Sequence, residues 1–258
     1  WNTWHPVSCS RLENLPAGLS IVPGAFSEAE SSYTQFPFDT ETRLLEHESS
    51  GRYCRMRVSH ACAEFELEYL RFDAWTILFR MTNPPREWGI RYHMLVSIGF
   101  ENGGAMYETA DGLFGRRDNY SAAVSYAGEP PYDVILAGTA DYAGLCMADK
   151  GYKSTVSVQN AESAWATCRF VLEQSPQVCM AVSLAHDENT ARCAANRAAA
   201  EFPRWEELRA AALRKYPRST DSEHPHMTEA VSDIMAWNAM YSPELGRAYN
   251  AIAKSWNK

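Results

Sequence analysis

The pattern of apolar and polar residues divides the chain into two parts that meet near residue 185. Before this point, short runs of β-branched and aromatic residues alternate with polar residues at a period of two, and Gly, Pro, Asn and Asp separate the runs. Such alternation is typical of half-buried strands. It predicts strands over residues 52–61, 63–72, 74–82, 89–100, 122–126, 134–137, 154–158, 164–172 and 177–185.

These runs follow one another with hairpin-length connections and without helices between them. Consecutive antiparallel strands predict a β-sandwich instead of βαβ units. We therefore expect a mainly β protein. Residues 1–185 are predicted to form a large antiparallel β-sandwich of two broad sheets, larger than an immunoglobulin domain.

After residue 185 the pattern becomes helical. Asp187 is placed to cap an Ala-rich helix over residues 188–201, and Pro203 opens a second helix that reaches about residue 216. A polar stretch over 217–225 separates these helices from a third, which is predicted to end near Tyr241 before the breaker Ser242-Pro-Glu-Leu-Gly. Residues 186–222 are thus predicted as a helical linker and 223–258 as the opening of a helical domain.

Composition narrows the classes of partner. The 258 residues are 46% apolar and 22% charged, which suffices for a substantial core, and the formal charge is −8. Nucleic acids and anionic membranes reward clustered Lys and Arg, so neither is predicted as a partner. No stretch of 18 apolar residues occurs, and hence no transmembrane helix is predicted.

The seven cysteines form no CxxC pair, and no His lies at zinc-finger spacing from them. His224 and His226 lack a defined set of companion ligands, and dinucleotide and phosphate-loop motifs are missing, so we predict no metal and no cofactor. The odd, scattered cysteines are typical of reduced, buried thiols and favour a reducing compartment such as the cytoplasm. A bridge from Cys54 to Cys62 stays open as an alternative.

Glutamates at positions 64, 66 and 68 alternate with apolar residues along one predicted strand. Paired carboxylates are the groups used in glycoside hydrolysis. The same spacing is also typical of a solvated sheet face opposite an apolar one, and this second interpretation is favoured.

Both ends of the chain combine aromatic and polar side chains. The chain begins Trp1-Asn-Thr-Trp4, and near its other end Trp237 and Tyr241 lie four residues apart with Asn238 beside them, followed by Ser255-Trp256. Residues four apart share one face of a helix. Such a group suits the stacking and hydrogen bonding of a sugar, although aromatic packing in a core explains the spacing equally well.

Trp1-Asn-Thr-Trp precedes the predicted large sandwich and helical linker, which are followed by Ala236-Trp-Asn-Ala-Met-Tyr-Ser-Pro-Glu and Ser255-Trp-Asn. This arrangement resembles the N-terminal half of family 63-like glycoside hydrolases. These enzymes belong to the six-hairpin, (α/α)6-toroid glycosidases. The resemblance implies that residues 223–258 start the toroid and that Trp237, Asn238, Tyr241 and Trp256 contact substrate. Lys254-Ser255-Trp256 departs from the Ser-Arg-x-Trp form of that family.

The resemblance also implies that the general acid and base follow residue 258, so we name no catalytic residue and expect the chain alone to be inactive. The function predicted is the N-terminal portion of a glycoside hydrolase, inverting and specific for α-linked glucosides or mannosides. An oligosaccharide or glycoside substrate and the remainder of the toroid are its expected partners. The alternative is a non-catalytic carbohydrate-binding or structural β-sandwich module. Apolar residues on the third helix, left uncovered, would promote a homo-oligomer.

Overall fold

The computed structural model describes residues 19–30, 32–36, 41–49, 52–60, 63–73, 75–82, 92–100, 103–137, 157–159, 164–171, 177–214, 239–242 and 247–250. Antiparallel strands dominate these residues. In chain order they are β1 Leu19–Ser27, β2 Ser32–Gln35, β3 Thr42–Ser49, β4 Tyr53–His60, β5 Ala63–Arg71, β6 Thr76–Thr82, β7 Tyr92–Phe100, β8 Ala105–Thr109, β9 Gly112–Arg117, β10 Tyr120–Tyr126, β11 Asp133–Ala137, β12 Ser157–Gln159, β13 Ala164–Val171, β14 Val178–Ala185, β15 Ala239–Ser242 and β16 Arg247–Asn250.

Fourteen of these strands form two sheets. One sheet has five strands in the order β11-β13-β7-β1-β2, and the other has nine in the order β12-β8-β9-β10-β14-β6-β5-β4-β3. Hairpin neighbours pair in simple register, as β4 does with β5 from His60 opposite Ala63 back to Tyr53 opposite Leu70. The predicted mainly β architecture, a large antiparallel β-sandwich, is confirmed.

One apolar core fills the space between the sheets. Every second residue of a central strand points inward, as Met94, Val96, Ile98 and Phe100 of β7 do, because successive side chains of a strand face opposite sides. Met180 of β14 belongs to the same core from the other sheet. Burial of these side chains is the main favourable contribution to folding, at about 25 cal/mol per Å² of apolar surface.

All nine predicted runs overlap a strand, and the five strands β1, β2, β3, β8 and β9 were not predicted. Pro23 and Gly24 interrupt the apolar run of β1, and β2 has only four residues. Strand β3 carries a bulge between Leu44 and Glu46, which breaks the period of two. An interrupted apolar run, a short length and a bulge therefore explain why β1, β2 and β3 escape a search for alternation.

The two helices predicted after residue 185 are confirmed. Helix α1 is Glu188–Ala199, a 3₁₀ turn covers Phe202–Arg204, and helix α2 is Trp205–Arg214. The predicted cap is confirmed: the Asp187 carboxylate accepts the Thr190 backbone N–H at 2.9 Å. Both helices pack on the outer face of the nine-stranded sheet.

The predicted third helix is wrong at its end. Ala239–Ser242 form strand β15, which pairs antiparallel with β16 from Ala239 opposite Asn250 to Ser242 opposite Arg247. Four residues that include Pro243 and Gly246 separate the two strands, a length and composition typical of a hairpin connection. The apolar face proposed for this helix, Met227 to Met235, lies outside the described residues.

The described cysteines Cys54, Cys168, Cys179 and Cys193 are free thiols, so the alternative bridge from Cys54 to Cys62 does not form. Strand register explains this, because Cys54 lies opposite Tyr69, at the far end of the hairpin from residue 62. In the described part of the chain, no helix combines the length and the apolar character that a membrane span requires.

Candidate functional site

The sugar-binding residues predicted from the sequence fall largely beyond the described part of the chain. Trp237, Asn238 and Trp256 lie outside it, whereas the backbone of Tyr241 lies in β15, opposite Ala248 of β16. The helical spacing that was expected to place Tyr241 one turn from Trp237 therefore does not apply. Their role in substrate binding stays a prediction.

The acidic strand β5 gives a more informative result. Glu64 and Glu66 project from the outer face of the nine-stranded sheet, where they pair with Arg57 and Arg55 of the neighbouring strand β4. Glu46 of β3 extends this ladder, with an oxygen 3.0 Å from Arg57. The Arg55 guanidinium holds the pKa of the Glu66 carboxyl below its usual range by hydrogen bonding to it. For these two glutamates the predicted solvated sheet face is correct.

Glu68 is different, and here the prediction of a solvated face is wrong. Its side chain is only 1% exposed, because helix α2 lies over it. A buried carboxylate is costly unless it is paired and hydrogen-bonded. Glu68 meets this requirement through Tyr53, whose hydroxyl donates to Oε1 at 2.6 Å, and through Arg80, which donates to Oε2 from Nε at 2.7 Å and from Nη2 at 2.6 Å.

Helix α2 supplies the remaining hydrogen-bond donor to Glu68. Trp205, the first residue of α2, is 3% exposed, and its indole Nε1–H donates to Glu68 Oε1 at 3.3 Å. The Arg80 guanidinium lies 4.4 Å from the centre of the Trp205 ring, which is a cation–π contact. Phe202 stacks on the same ring at 5.5 Å. Trp205 thus connects helix α2 to the buried carboxylate of Glu68 in the sheet.

A second contact lies further along α2. The Arg209 guanidinium is 5.3 Å from the centre of the Tyr53 ring and 3.7 Å from the Glu48 carboxylate. Burial, with a further contribution from the hydrogen bond to Glu68, raises the pKa of Tyr53 well above its usual value. Tyr53 therefore remains a proton donor to Glu68 throughout the physiological range.

Helix α1 is held on the neighbouring strands by small side chains. Ala191 and Ala195 are fully buried against Ala123 of β10, which brings the helix close to the sheet. At its exposed side Arg192 donates to both oxygens of Asp111 at 2.8 and 2.9 Å, and this pairing lowers the pKa of the Asp111 carboxyl. Close packing and a two-point ion pair fix the helix in one orientation.

These contacts hold helices α1 and α2 on the outer face of the nine-stranded sheet. Both oxygens of Glu68 accept hydrogen bonds, and no open path to solvent leads to it because the linker covers it. Across the described ranges, no three His, Cys, Asp or Glu residues are grouped to hold a metal ion. The arrangement fixes the position of α2 on the sheet through the contacts of Trp205 with Glu68 and Arg80.

Solved structures of glycoside hydrolases share this fold over most of the chain. A bacterial glucoamylase, in a crystal structure with acarbose, matches 86% of the chain with a TM-score of 0.66 at 10% identity. A family 92 inverting mannosidase from Bacteroides thetaiotaomicron matches 90% with a TM-score of 0.53 at 11% identity. A family 92 α-mannosidase from the same organism, solved with mannoimidazole, matches 90% with a TM-score of 0.51 at 12% identity.

The chain spans about a third of the length of these proteins, 35% of the glucoamylase and 33% of the inverting mannosidase. No family model matches the sequence, and no curated protein matches it. The structural neighbours are glycoside hydrolases, and at these identities the likeness is one of fold. The closer resemblance to family 63 stays a prediction.

Proposed function

We propose that this chain is the N-terminal sandwich and linker of a glycoside hydrolase whose toroidal catalytic domain follows the linker. The observation that carries the proposal is the fold match to the glucoamylase, which extends over 86% of the chain and includes more than the sandwich strands alone. The neighbours have about three times the length of the part that the chain matches, which leaves room for a catalytic domain.

The docked linker supports this proposal on physical grounds. A flexible tether would be rich in Gly and Ser and would make few contacts. Here Trp205 is buried, and Glu68 binds three different side chains beneath it. A rigid linker suits an enzyme whose two domains must keep one relative orientation.

We propose an inverting hydrolase for α-linked glucosides or mannosides. The support is that the structural neighbours include an inverting family 92 mannosidase and a glucoamylase bound to acarbose. An inverting enzyme needs an acid and a base spaced far enough apart to admit a water molecule. We expect both groups to come from the catalytic domain, with Trp237, Asn238, Tyr241 and Trp256 binding the sugar.

The test uses the full-length gene product with a panel of α- and β-linked aryl glucosides and mannosides. We expect hydrolysis of an α-linked substrate, and proton NMR of the first product should show the β-anomer. A folded protein that hydrolyses nothing in the panel would contradict the hydrolase and support the non-catalytic carbohydrate-binding module. A first product with the α-anomer would contradict inversion alone.

Tyr241 offers a matched pair of variants. We expect Tyr241→Phe to raise KM by about three- to tenfold, the effect of losing one hydrogen bond to a sugar hydroxyl. Tyr249→Phe is the control, because the register places Tyr249 opposite Met240 on the partner strand. Equal kinetics for both variants would remove Tyr241 from the proposed sugar site.

A further inference from the structure

The core between the sheets ends on one side in a polar cavity of about 320 Å³. It lies where β1 and the edge strand β2 of the five-stranded sheet face the end of β4 and the turn before β3. The described residues that line it are Ala25, Ser27, Glu30, Ser32, Thr34, Glu41 and His60. The cavity therefore opens at the edge of the sandwich and reaches inward between the sheets.

The lining departs from the apolar pattern that builds the rest of the core. Ile21 and Ala25 point inward along β1, and the next inward position is Ser27. Met56 and Val58 point inward along β4, and the next inward position is His60. Both of these polar side chains are 3% exposed. Burying a hydroxyl or an imidazole is unfavourable without hydrogen bonds. Polar side chains therefore occupy buried positions at which apolar side chains would stabilise the fold more.

Hydrogen bonds hold the polar groups in place. His60 Nδ1 lies 3.2 Å from Thr42 Oγ1, and the ring of Phe36 meets the imidazole edge-on at 5.2 Å. At the mouth, Ser32 Oγ donates to Glu30 Oε2 at 3.3 Å, and the Glu30 backbone N–H donates to Ser27 Oγ at 3.4 Å. The His60 imidazole and the Glu30 carboxylate are thus each held by a neighbouring hydroxyl.

The lining excludes most classes of ligand. Among the described residues, the lining holds two carboxylates, from Glu30 and Glu41, and neither Lys nor Arg, so an anion would be repelled. Six of these seven described residues are polar, which disfavours an apolar ligand. Glu30, Glu41 and His60 are not among any group of metal-ligand residues in the described part of the chain. Hydroxyls, carboxylates and an imidazole complement a ligand whose own groups both donate and accept.

We propose that this cavity binds one neutral hexopyranose unit, with its hydroxyls hydrogen-bonded to Glu30, Thr34 and His60. The volume lies at the lower end of the range for small-molecule pockets and suits a monosaccharide. The site belongs to the sandwich itself, so the inference does not depend on the proposed hydrolase activity.

The 258-residue chain is titrated with methyl α-glucoside, methyl α-mannoside and glucosamine, and saturation-transfer NMR and calorimetry report binding. We expect saturable binding of a neutral glycoside with a Kd on the order of 1 mM, a value typical of the free energy per atom of small polar ligands. The imidazole signal of His60 should shift with the same saturation curve, which locates the ligand.

Two variants and one control make the test specific. Ser32→Trp, at an exposed position of β2, should block the mouth and abolish saturable binding. Thr34→Val keeps the volume and removes one hydroxyl, which should weaken binding about three- to tenfold. Glu129→Trp, on an exposed connection after β10, should bind like the parent chain. Thermal unfolding followed by circular dichroism checks that each variant is folded. If Ser32→Trp does not fold, the binding affinity of Thr34→Val decides the test.

Three results would overturn the proposal. The first is that neither glycoside saturates the chain at 100 times the expected Kd, which would mean that water alone fills the cavity. The second is that both glycosides bind but Thr34→Val does not weaken binding and the His60 signal does not shift, which would place the sugar elsewhere. The third is that glucosamine binds at least tenfold more tightly than both glycosides, which would make the cavity a cation site formed by the Glu30 and Glu41 carboxylates.

Discussion

The buried Glu68 cluster makes a quantitative prediction about the linker. In Glu68→Gln the side chain keeps its size and loses one of its two acceptor oxygens. If the amide oxygen faces Arg80, the amide N–H₂ faces the Trp205 indole N–H, and two donors then meet. An unsatisfied buried donor costs about 1–3 kcal/mol, and breaking a buried ion pair costs about 3–5 kcal/mol.

Arg80 is 17% exposed and keeps a second carboxylate, Glu206, at 3.3 Å, which offsets part of the lost ion pair. We therefore expect Glu68→Gln to lower the free energy of unfolding by about 3 kcal/mol. Urea denaturation followed by tryptophan fluorescence measures this change. The matched control is Glu66→Gln, two residues away on the same strand and 25% exposed, which should cost less than about 1 kcal/mol.

A double-mutant cycle with Trp205→Phe tests the mechanism itself. Phenylalanine keeps an aromatic ring and removes the indole N–H, so the donor conflict in Glu68→Gln disappears. We expect the two substitutions to be coupled by about 1 kcal/mol, so that Glu68→Gln costs less when Trp205 is already Phe. Additivity within about 0.5 kcal/mol would refute the argument that Trp205 bonds to Glu68. Hydrogen exchange of α2 should rise in both single variants.

Acid should weaken the ion pair between Arg55 and Glu66, because the pKa of Glu66 is lower in the folded state than in the unfolded state. The contribution of the pair to the free energy of unfolding is therefore complete above the unfolded-state pKa and is lost as the pH falls through the folded-state pKa. Urea midpoints of the parent and Glu66→Gln should therefore converge as the pH falls from about 5 to about 2, and a constant difference would contradict this. Burial raises the pKa of the Cys168 thiol to about 12, whereas Cys193 is exposed. Iodoacetamide at pH 8 should thus modify Cys193 well before Cys168, as mass spectrometry of peptides would show, and equal rates would mean that the core opens readily. Gly112 has φ of 154°, and a Cβ atom there would overlap a backbone carbonyl of β10, so Gly112→Ala should cost more than about 1 kcal/mol. A Cβ at Gly103, with φ of 80°, would meet nothing within 4 Å. Comparing the unfolding midpoints of Gly112→Ala and Gly103→Ala therefore separates the cost of atomic overlap from the cost of backbone strain.

Local pattern predicts much of this fold. Strand β5 alternates between apolar residues and glutamates along most of its length, and Asp187 marks the start of α1, so these elements follow from neighbouring residues alone. Strand β3 could not be found in this way, because Leu44 and Leu45 are both exposed at its bulge and carry no period. The β15 strand was mistaken for helix because its four residues are too few to distinguish the two periods.

The site is harder to predict because it depends on contacts between distant parts of the chain. Glu64, Glu66 and Glu68 have the same spacing, yet only Glu68 is buried, since Trp205, 137 residues later, covers it. Nothing in the local sequence distinguishes the three. The polar cavity carries a weak signal in the sequence, because Ser27 and His60 stand at inward positions of otherwise apolar strands.

The position of β14 has a consequence for how the chain is made. The nine-stranded sheet contains two consecutive meanders, β3 to β6 and β8 to β10, and β14 lies between them and pairs with both β6 and β10. Val182 of β14 lies opposite Ile77 on one side and Val124 on the other. During synthesis, both meanders emerge from the ribosome before β14, and the edges of β6 and β10 that β14 will cover are then still unpaired. They join only when residues 178–185 follow, and the linker that α1 begins comes directly after the strand that completes the sheet.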